Sequence, residues 1–205
     1  MDHPQYPTDV NQVADLSPEL ALGVGPTGPV TWNPDIHQHL VIAGPLRSGK
    51  TTATRVLAAS AQAQGSRIYA IGSDPGLSTP PFLDVGQTLE SAEQLVRDIR
   101  QTVEERASVT GSGAVDDPAL PVFLVVDHPE RLTPTGDAWE SQEEHRNFLT
   151  YAVLAFALTD DVHLVVVDDA GDAEIPGAAL LQLADTGIGE LNGEPIAVFA
   201  APNCG

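Results

Sequence analysis

One short stretch decides the fold, Gly44-Pro45-Leu46-Arg47-Ser48-Gly49-Lys50-Thr51. It matches the pattern G-x-x-x-x-G-K-[ST] at every fixed position. The apolar run His39–Ala43 before it is typical of a strand buried on both faces, and residues 50–64 after it have helical character, with Gly65 as a C-cap. Strand, glycine-rich turn and helix are the context in which this pattern forms a phosphate-binding loop. A chance turn that binds nothing is the alternative, and the flanking segments disfavour it.

Each part of this loop suits the phosphates of a nucleotide. Its glycines let the backbone wrap the β-phosphate, and the N-terminus of the following helix adds positive potential. We expect Lys50 to bridge the β- and γ-phosphates, Thr51 to offer its hydroxyl to Mg²⁺ and Thr52 to face the α-phosphate. The predicted cofactors are therefore ATP and Mg²⁺. The residues predicted to contact the nucleotide are Gly44, Pro45, Leu46, Arg47, Ser48, Gly49, Lys50, Thr51 and Thr52.

The composition singles out the lysine of the loop. Lys50 is the only lysine in the chain, and all the others among its nine Lys and Arg residues are arginines. A lysine carries a compact charge on a flexible stem, which suits a phosphate. A chain that otherwise uses only arginine thus keeps its one lysine where a nucleotide would need it.

A second predicted part of the site is a carboxylate for magnesium. In a phosphate-binding loop protein this carboxylate usually ends a neighbouring strand. The run Val122–Asp127 has this form, an apolar strand that ends in an acid. We therefore expect Asp127 to hold Mg²⁺ together with Thr51, although acidic strand ends are common in a chain this acidic.

The remaining pattern indicates an α/β protein with a mainly parallel central sheet and the three-layer sandwich of P-loop NTPases. We expect an N-terminal arm of loops over residues 1–28 and one P-loop NTPase domain over residues 29–205. The predicted strands are Gly28–Trp32, His39–Ala43 and residues 67–71, 121–126, 162–167 and 196–200, and the predicted helices are residues 50–64, 88–107, 141–158 and 176–184.

Charge and composition exclude several classes of function. The formal net charge of −20 repels phosphate backbones, which makes direct DNA binding doubtful. The single cysteine, Cys204, allows no disulfide framework and no Cys-based zinc site within one chain. No apolar stretch approaches the roughly 20 residues that span a bilayer. We therefore expect a cytoplasmic protein without a membrane segment.

The order of these segments resembles the FtsK/SpoIIIE branch of the FtsK–HerA ATPases, which includes DNA translocases and type VII secretion motors. The resemblance covers residues 22–167 and implies a RecA/FtsK-like fold and nucleotide binding. Besides the phosphate-binding loop, it rests on Gly28-Pro29-Val30-Thr31-Trp32, Asp74-Pro75, Glu104-Glu105-Arg106, Asp127 and Val162-His163-Leu164-Val165-Val166.

Several positions depart from the pattern of this family. His128 stands where a glutamate normally polarises the attacking water, and Glu130 follows two residues later. Asp169 replaces a glutamine that senses the γ-phosphate, Leu158 replaces an arginine, and Gly76 replaces the lysine of an Asp-Pro-Lys motif. The predicted catalytic residues are Lys50, Asp127, His128 and Glu130. The unperturbed pKa of histidine lies near neutrality, which makes His128 a candidate general base, and a partly exposed loop histidine without a catalytic role is the other interpretation.

Four functions stay open, of which the fourth, a classical DNA translocase, is disfavoured by the net charge. The first is a slow or assembly-dependent ATPase coupled to the transfer of DNA or protein, with a protein partner or a homo-oligomer. The second is a nucleotide-dependent protein-interaction module without significant hydrolysis. The third is a small P-loop kinase, which the scarcity of cations after residue 106 disfavours, since only Arg131 and Arg146 occur there. These two arginines are also the candidates for a residue that reaches a neighbouring subunit. The acidic segment 160–174 is most simply a solvated surface.

Overall fold

The computed structural model describes residues 19–110, 121–135, 142–159, 162–169, 175–185 and 188–198, which form two compact units. The first unit combines residues 1–65 with 165–205, and the second comprises residues 66–164. The strands are β1 (Leu20–Gly25), β2 (Gly28–Trp32), β3 (His39–Ala43), β4 (Arg67–Gly72), β5 (Asp84–Gly86), β6 (Val122–Asp127), β7 (Val162–Asp168), β8 (Ala178–Asp185), β9 (Ile188–Leu191) and β10 (Glu194–Val198). The α-helices are α1 (Lys50–Ala63), α2 (Leu89–Thr110) and α3 (Gln142–Phe156).

The strands of the first unit follow the order β2-β1-β10-β9-β8-β3-β7. At its centre β3 pairs in parallel with β7 and with β8, and all its residues are buried. Ala43, the last residue of β3, lies opposite Asp168 of β7 and Gln182 of β8. The loop that follows β3 therefore starts at the same sheet edge as the residues that follow β7.

The second unit contains the parallel strands β6-β4-β5. Every residue of β6 is buried up to Asp127 at its end, as expected for a central parallel strand. Helix α2 packs against β5 and against α3. Six of the ten described strands pair in parallel, so the predicted α/β class with a mainly parallel sheet is confirmed.

Helix α1 carries the loop into the core of the first unit. It buries an apolar face that includes Val56 and Leu57 and packs against β1 and β3. The helix ends at Ala63, and Gly65 has a φ of 85°, the left-handed conformation of a residue just after a helix. The prediction for residues 50–65 is confirmed.

The predicted helix over residues 176–184 was wrong, because Ala178–Asp185 form strand β8. The run Ala-Ala-Leu-Leu-Gln-Leu-Ala has good helix formers, but its backbone pairs with β3 and its side chains alternate, with Ala179, Leu181 and Leu183 buried. Tertiary pairing thus overrides local propensity. The sequence prediction also missed β9, which Asn192 and Gly193, both at positive φ, join to β10 as a hairpin turn.

Residues 20–25 were expected to be loops, but they form β1, which pairs with β2 and β10. Leu20, Ala21 and Leu22 are consecutive and all buried, and the register shifts between Ala21 and Gly23. This irregularity hides the period of two by which a strand is recognised. The domain boundary at residue 28 stays a prediction. None of the described helices is long and apolar enough to cross a membrane.

Candidate functional site

The loop between β3 and α1 contains three residues with a positive φ, a conformation that glycine adopts easily and other residues rarely adopt. Gly44, Arg47 and Gly49 have φ values of 151°, 68° and 100°. A Cβ atom on Gly44 would collide with the carbonyl of Leu183 and the hydroxyl of Ser48. The Ser48 amide donates to the Pro45 carbonyl at 3.1 Å, which closes the loop into a turn. The positive φ values and the close contacts therefore explain why glycine occupies positions 44 and 49. Because these two residues have no side chains, the loop forms a compact concave turn over residues 44–49, which we call the cradle.

This cradle is suited to an anion. Gly49 is the N-cap of α1 and provides no capping side chain, and the first turn of the helix contains no acidic residue. The Ser48 hydroxyl is buried and has no hydrogen-bond partner among the described residues. The first N–H groups of a helix have no acceptor within the helix, and the buried Ser48 hydroxyl has no partner among the described residues, so phosphate oxygens are suitable acceptors for both. The loop thus fits the phosphates of a nucleotide.

Lys50 is the first residue of α1, and its side chain reaches back to the loop, where its ammonium group has three acceptors. Its side chain is 9% exposed, and Nζ donates to the carbonyls of Gly44 at 2.6 Å and Pro45 at 3.0 Å. It also forms an ion pair with Asp169 Oδ1 at 3.0 Å. Asp169 follows β7, and the parallel pairing of β7 with β3 brings it to the loop. The sequence indicated Asp169 as a substitute for a sensor glutamine and as part of the acidic segment 160–174, and the ion pair with Lys50 was not predicted.

The other predicted contact residues differ in exposure. Thr51 and Thr52 are partly exposed in the first turn of α1. Leu46 and Arg47 are exposed at the tip of the loop. The roles of these side chains towards a nucleotide stay predictions.

In the second unit, the structure brings three predicted residues together. Asp127 ends β6, and His128 follows it at a φ of 48° before a short 3-10 turn over Pro129–Arg131. His128 Nδ1 is 2.9 Å from Glu130 Oε1, and its Nε2 is 3.8 Å from Asp127 Oδ1. The turn thus places Glu130 against the imidazole. A carboxylate on one ring nitrogen fixes which nitrogen carries a proton and leaves the ring able to exchange the other.

The magnesium site stays a prediction, since Thr51 belongs to the first unit and Asp127 to the second. Among the described residues, no three His, Cys, Asp or Glu side chains form a group that would hold a metal by themselves. A hydroxyl and a carboxylate nevertheless suit Mg²⁺, which commonly keeps several waters and takes further oxygens from bound phosphates. Each residue thus has a ligand type that suits Mg²⁺, and their joint role stays a prediction.

The arginines proposed for a subunit contact differ in their surroundings. Arg131 is half exposed and lies 3.8 Å from Glu130 Oε1, whereas Arg146 donates to the carbonyl of Leu132 at 3.4 Å.

Trp32 is a packing residue, because its ring is buried and donates to the His37 carbonyl at 2.9 Å. Residues 160, 161 and 170–174 of the acidic segment lie outside the described residues.

Solved structures resemble this chain over nearly its whole length. The cytoplasmic domain of EssC matches with a TM-score of 0.69 at 18% identity over 98% of this chain and 48% of that chain. The conjugation coupling protein TcpA, solved with ATPγS, gives 0.70 at 15% identity over 97% and 70%. EccC from Thermomonospora curvata (ATPases 2 and 3), in complex with a signal sequence peptide, gives 0.59 at 16% identity over 95% and 43%.

This chain spans about half the length of the EssC structure. No protein-family model and no curated protein matches its sequence. At these identities the likeness establishes the fold, and it agrees with the resemblance seen in the sequence. The chain thus has the fold of the FtsK/SpoIIIE-like P-loop ATPase domains.

Proposed function

We propose that this chain binds ATP with Mg²⁺ and hydrolyses it slowly or only within an assembly, in the service of macromolecule transfer. The observation that carries the proposal is the loop between β3 and α1. It combines an uncapped helix start, the Gly44 cradle, the unpaired Ser48 hydroxyl and the ammonium group of Lys50 within one turn.

Each residue of the loop has a distinct task in this proposal. The N–H groups at the start of α1 bind phosphate oxygens, and Ser48 donates its otherwise unpaired hydroxyl. Lys50 neutralises the β- and γ-phosphates. Thr51 and Asp127 are the residues that would hold Mg²⁺, which, when bound, neutralises charge that develops on the phosphates.

Hydrolysis needs a group that orients water, and here that group is unusual. We assign this task to His128, whose ring contacts Glu130 at 2.9 Å and which occupies the place of the family's glutamate. An imidazole held in place by a carboxylate can act as a general base towards water. It replaces a carboxylate imperfectly, so turnover is expected to be slow in the isolated chain.

The transfer of a macromolecule is supported by the nature of the similar proteins. EccC is a type VII secretion ATPase, and TcpA is a conjugation coupling protein. For this chain, a net charge of −20 favours a protein over a nucleic acid as the transferred molecule.

A second candidate function is a nucleotide-dependent interaction module. It is supported by the two replaced positions, His128 and Asp169, the second of which pairs with Lys50. In a module of this kind, ATP binding orders a surface for a partner, and turnover has no role. Asp127→Ala and His128→Ala would then alter partner binding, whereas in an ATPase they reduce hydrolysis.

Steady-state ATP hydrolysis measured over a wide range of protein concentration tests the proposal. We expect a turnover number that rises with concentration, falls in His128→Ala and disappears in Lys50→Ala. Arg67→Ala, which removes an exposed cation from β4, is the matched control and should hydrolyse ATP like the wild type. ATP binding without turnover at any concentration would favour the interaction module.

A further inference from the structure

The ammonium group of Lys50 has three N–H donors, and the protein itself occupies all three. Two acceptors are the carbonyls of Gly44 and Pro45, at 2.6 and 3.0 Å. The third is Asp169 Oδ1, at 3.0 Å. A phosphate that approaches Lys50 must therefore replace one of these acceptors.

The three acceptors are not equally easy to replace. The two carbonyls belong to the backbone of the loop, and Gly44 is wedged against Leu183 and Ser48. Their displacement would require the cradle itself to change shape. Asp169 holds Lys50 through a side chain that is 48% exposed, so the carboxylate borders solvent. The carboxylate is thus the acceptor that a phosphate would displace.

We propose that Asp169 competes with the phosphates of a nucleotide for Lys50. Its carboxylate binds the ammonium group of Lys50 until a phosphate of the nucleotide takes the place of the carboxylate. This inference rests on the proposed function and adds a residue that sets affinity. Binding then costs the energy of an ion pair, so the observed affinity is lower than the loop alone would give. A partner or a neighbouring subunit that draws Asp169 away would tighten nucleotide binding.

A first experiment needs no nucleotide, because Lys50 is the only lysine of the chain. Limiting acetic anhydride acylates Lys50, and the amino terminus serves as an internal reference in the same sample. We expect Lys50 in Asp169→Asn to react about 3- to 10-fold faster than in the wild type, since a neutral amide holds an ammonium less firmly than a carboxylate does. Glu194→Gln, which removes an exposed carboxylate from β10, is the charge-matched control and should react like the wild type.

A second experiment measures the equilibrium dissociation constant of ATP for the same full-length variants. We expect Asp169→Asn, and also Asp169→Ala, to bind ATP about 3- to 10-fold more tightly than the wild type, while Glu194→Gln is unchanged. Circular dichroism spectra of the variants would establish that each is folded. Faster acylation together with tighter binding would support the inference.

The two experiments separate the possible failures. If all variants bind ATP equally, Asp169 is no competitor, although the proposed function stands. If Asp169→Asn binds ATP more weakly, Asp169 assists the nucleotide or its metal, which also overturns the inference. If neither the wild type nor Asp169→Asn binds ATP, the proposed function fails, and the competition for phosphate falls with it.

Discussion

Gly44 shows how a single position determines the shape of the loop. Its φ of 151° and its contacts with Leu183 and Ser48 leave no room for a side chain. Gly44→Ala should lower the free energy of unfolding by about 3 kcal/mol and weaken ATP binding, because strain and a backbone collision add together. Urea denaturation and ATP titration would measure the two effects.

Gly177 is the matched control for this substitution. It also has a positive φ, 72°, but a Cβ there meets nothing within 4 Å. Gly177→Ala should therefore cost only about 1 kcal/mol from conformation alone and leave ATP binding unchanged. Equal losses of unfolding free energy and of ATP affinity in Gly44→Ala and Gly177→Ala would contradict the claim that the loop has no room for a side chain at position 44.

We expect the Ser48 hydroxyl to strengthen ATP binding and to lower the free energy of unfolding of the protein without a ligand. Its buried hydroxyl has no partner among the described residues, so Ser48→Ala removes an unsatisfied group. We expect an unfolding free energy that is unchanged or up to about 1 kcal/mol higher, with ATP affinity about 10-fold lower. Chemical denaturation and calorimetric ATP titration would check both values.

Ser60 provides the contrasting case on the same helix, α1. Its buried hydroxyl accepts a hydrogen bond from the Ala21 amide at 3.0 Å, and Ser60 lies near the end of α1 that is opposite to the loop. Ser60→Ala should therefore destabilise the protein by about 1–2 kcal/mol, because it leaves a buried N–H unpaired, and should not change ATP affinity. A destabilised Ser48→Ala with normal ATP affinity would show that Ser48 is structural.

At the scale of elements, the carboxylate of Glu90 at the start of α2 accepts several hydrogen bonds that affect its pKa. The pKa of Glu90 is lowered from its usual 4.5 by a hydrogen bond from its own backbone N–H, assisted by bonds from Thr135 and Thr88 and opposed by burial. The Thr135 amide donates to both carboxylate oxygens, at 3.0 and 2.9 Å. This carboxylate thus links the start of α2 to the segment after the 3-10 turn at Pro129–Arg131.

The sign of the pKa shift fixes the pH dependence of stability. A carboxyl whose pKa is lower in the folded state stabilises the fold above its unfolded pKa, and this contribution is lost as the pH falls through the folded pKa. Glu90→Gln should therefore cost up to about 1 kcal/mol at pH 7 and almost nothing at pH 2, since the site is solvent-screened. Urea unfolding at both pH values measures this.

Glu144 provides a control for the charge alone. It is exposed in the first turn of α3, and its replacement by glutamine removes the same charge from a helix start. A Glu144→Gln variant that matched Glu90→Gln at pH 7 would indicate that the helix dipole explains the effect and that the Thr135 hydrogen bonds do not.

Sequence reasoning succeeded where structure is local. The loop from Gly44 to Thr51, the helix α1 and the strand ending at Asp127 are each encoded in a contiguous pattern, and all three were predicted as elements. The contact of His128 with Glu130 lies within a three-residue turn, but it depends on the left-handed φ of His128, which the sequence does not reveal.

Failures occurred where distant pairing decides the structure. The β8 segment has helix-forming residues and becomes a strand only because β3 and β9 pair with it. The ion pair of Lys50 with Asp169 joins residues that are far apart in sequence and depends on the parallel pairing of β3 with β7. The Asn192-Gly193 turn was a local signal for the β9–β10 hairpin and could have been recognised.

At the scale of the whole molecule, net charge restricts which macromolecule the proposed function would transfer. With nine Lys and Arg residues against 29 Asp and Glu, the net charge of the chain repels the phosphate backbone of DNA. Fluorescence anisotropy with labelled double-stranded DNA at 0.15 M salt should therefore give no binding tighter than about 100 μM, the weak end of nonspecific DNA binding. Salt-dependent binding at low micromolar concentration would favour DNA over protein as the substrate.

The most direct test of the central claim is equilibrium binding of ATP, in the presence of Mg²⁺, to the wild type and to Lys50→Ala. We predict saturable binding by the wild type and a loss of about 100-fold in Lys50→Ala, the size expected for lost charge-assisted hydrogen bonds to phosphate. Arg67→Ala should bind like the wild type. A wild type that does not bind ATP, or a Lys50→Ala variant that binds equally well, would contradict the account.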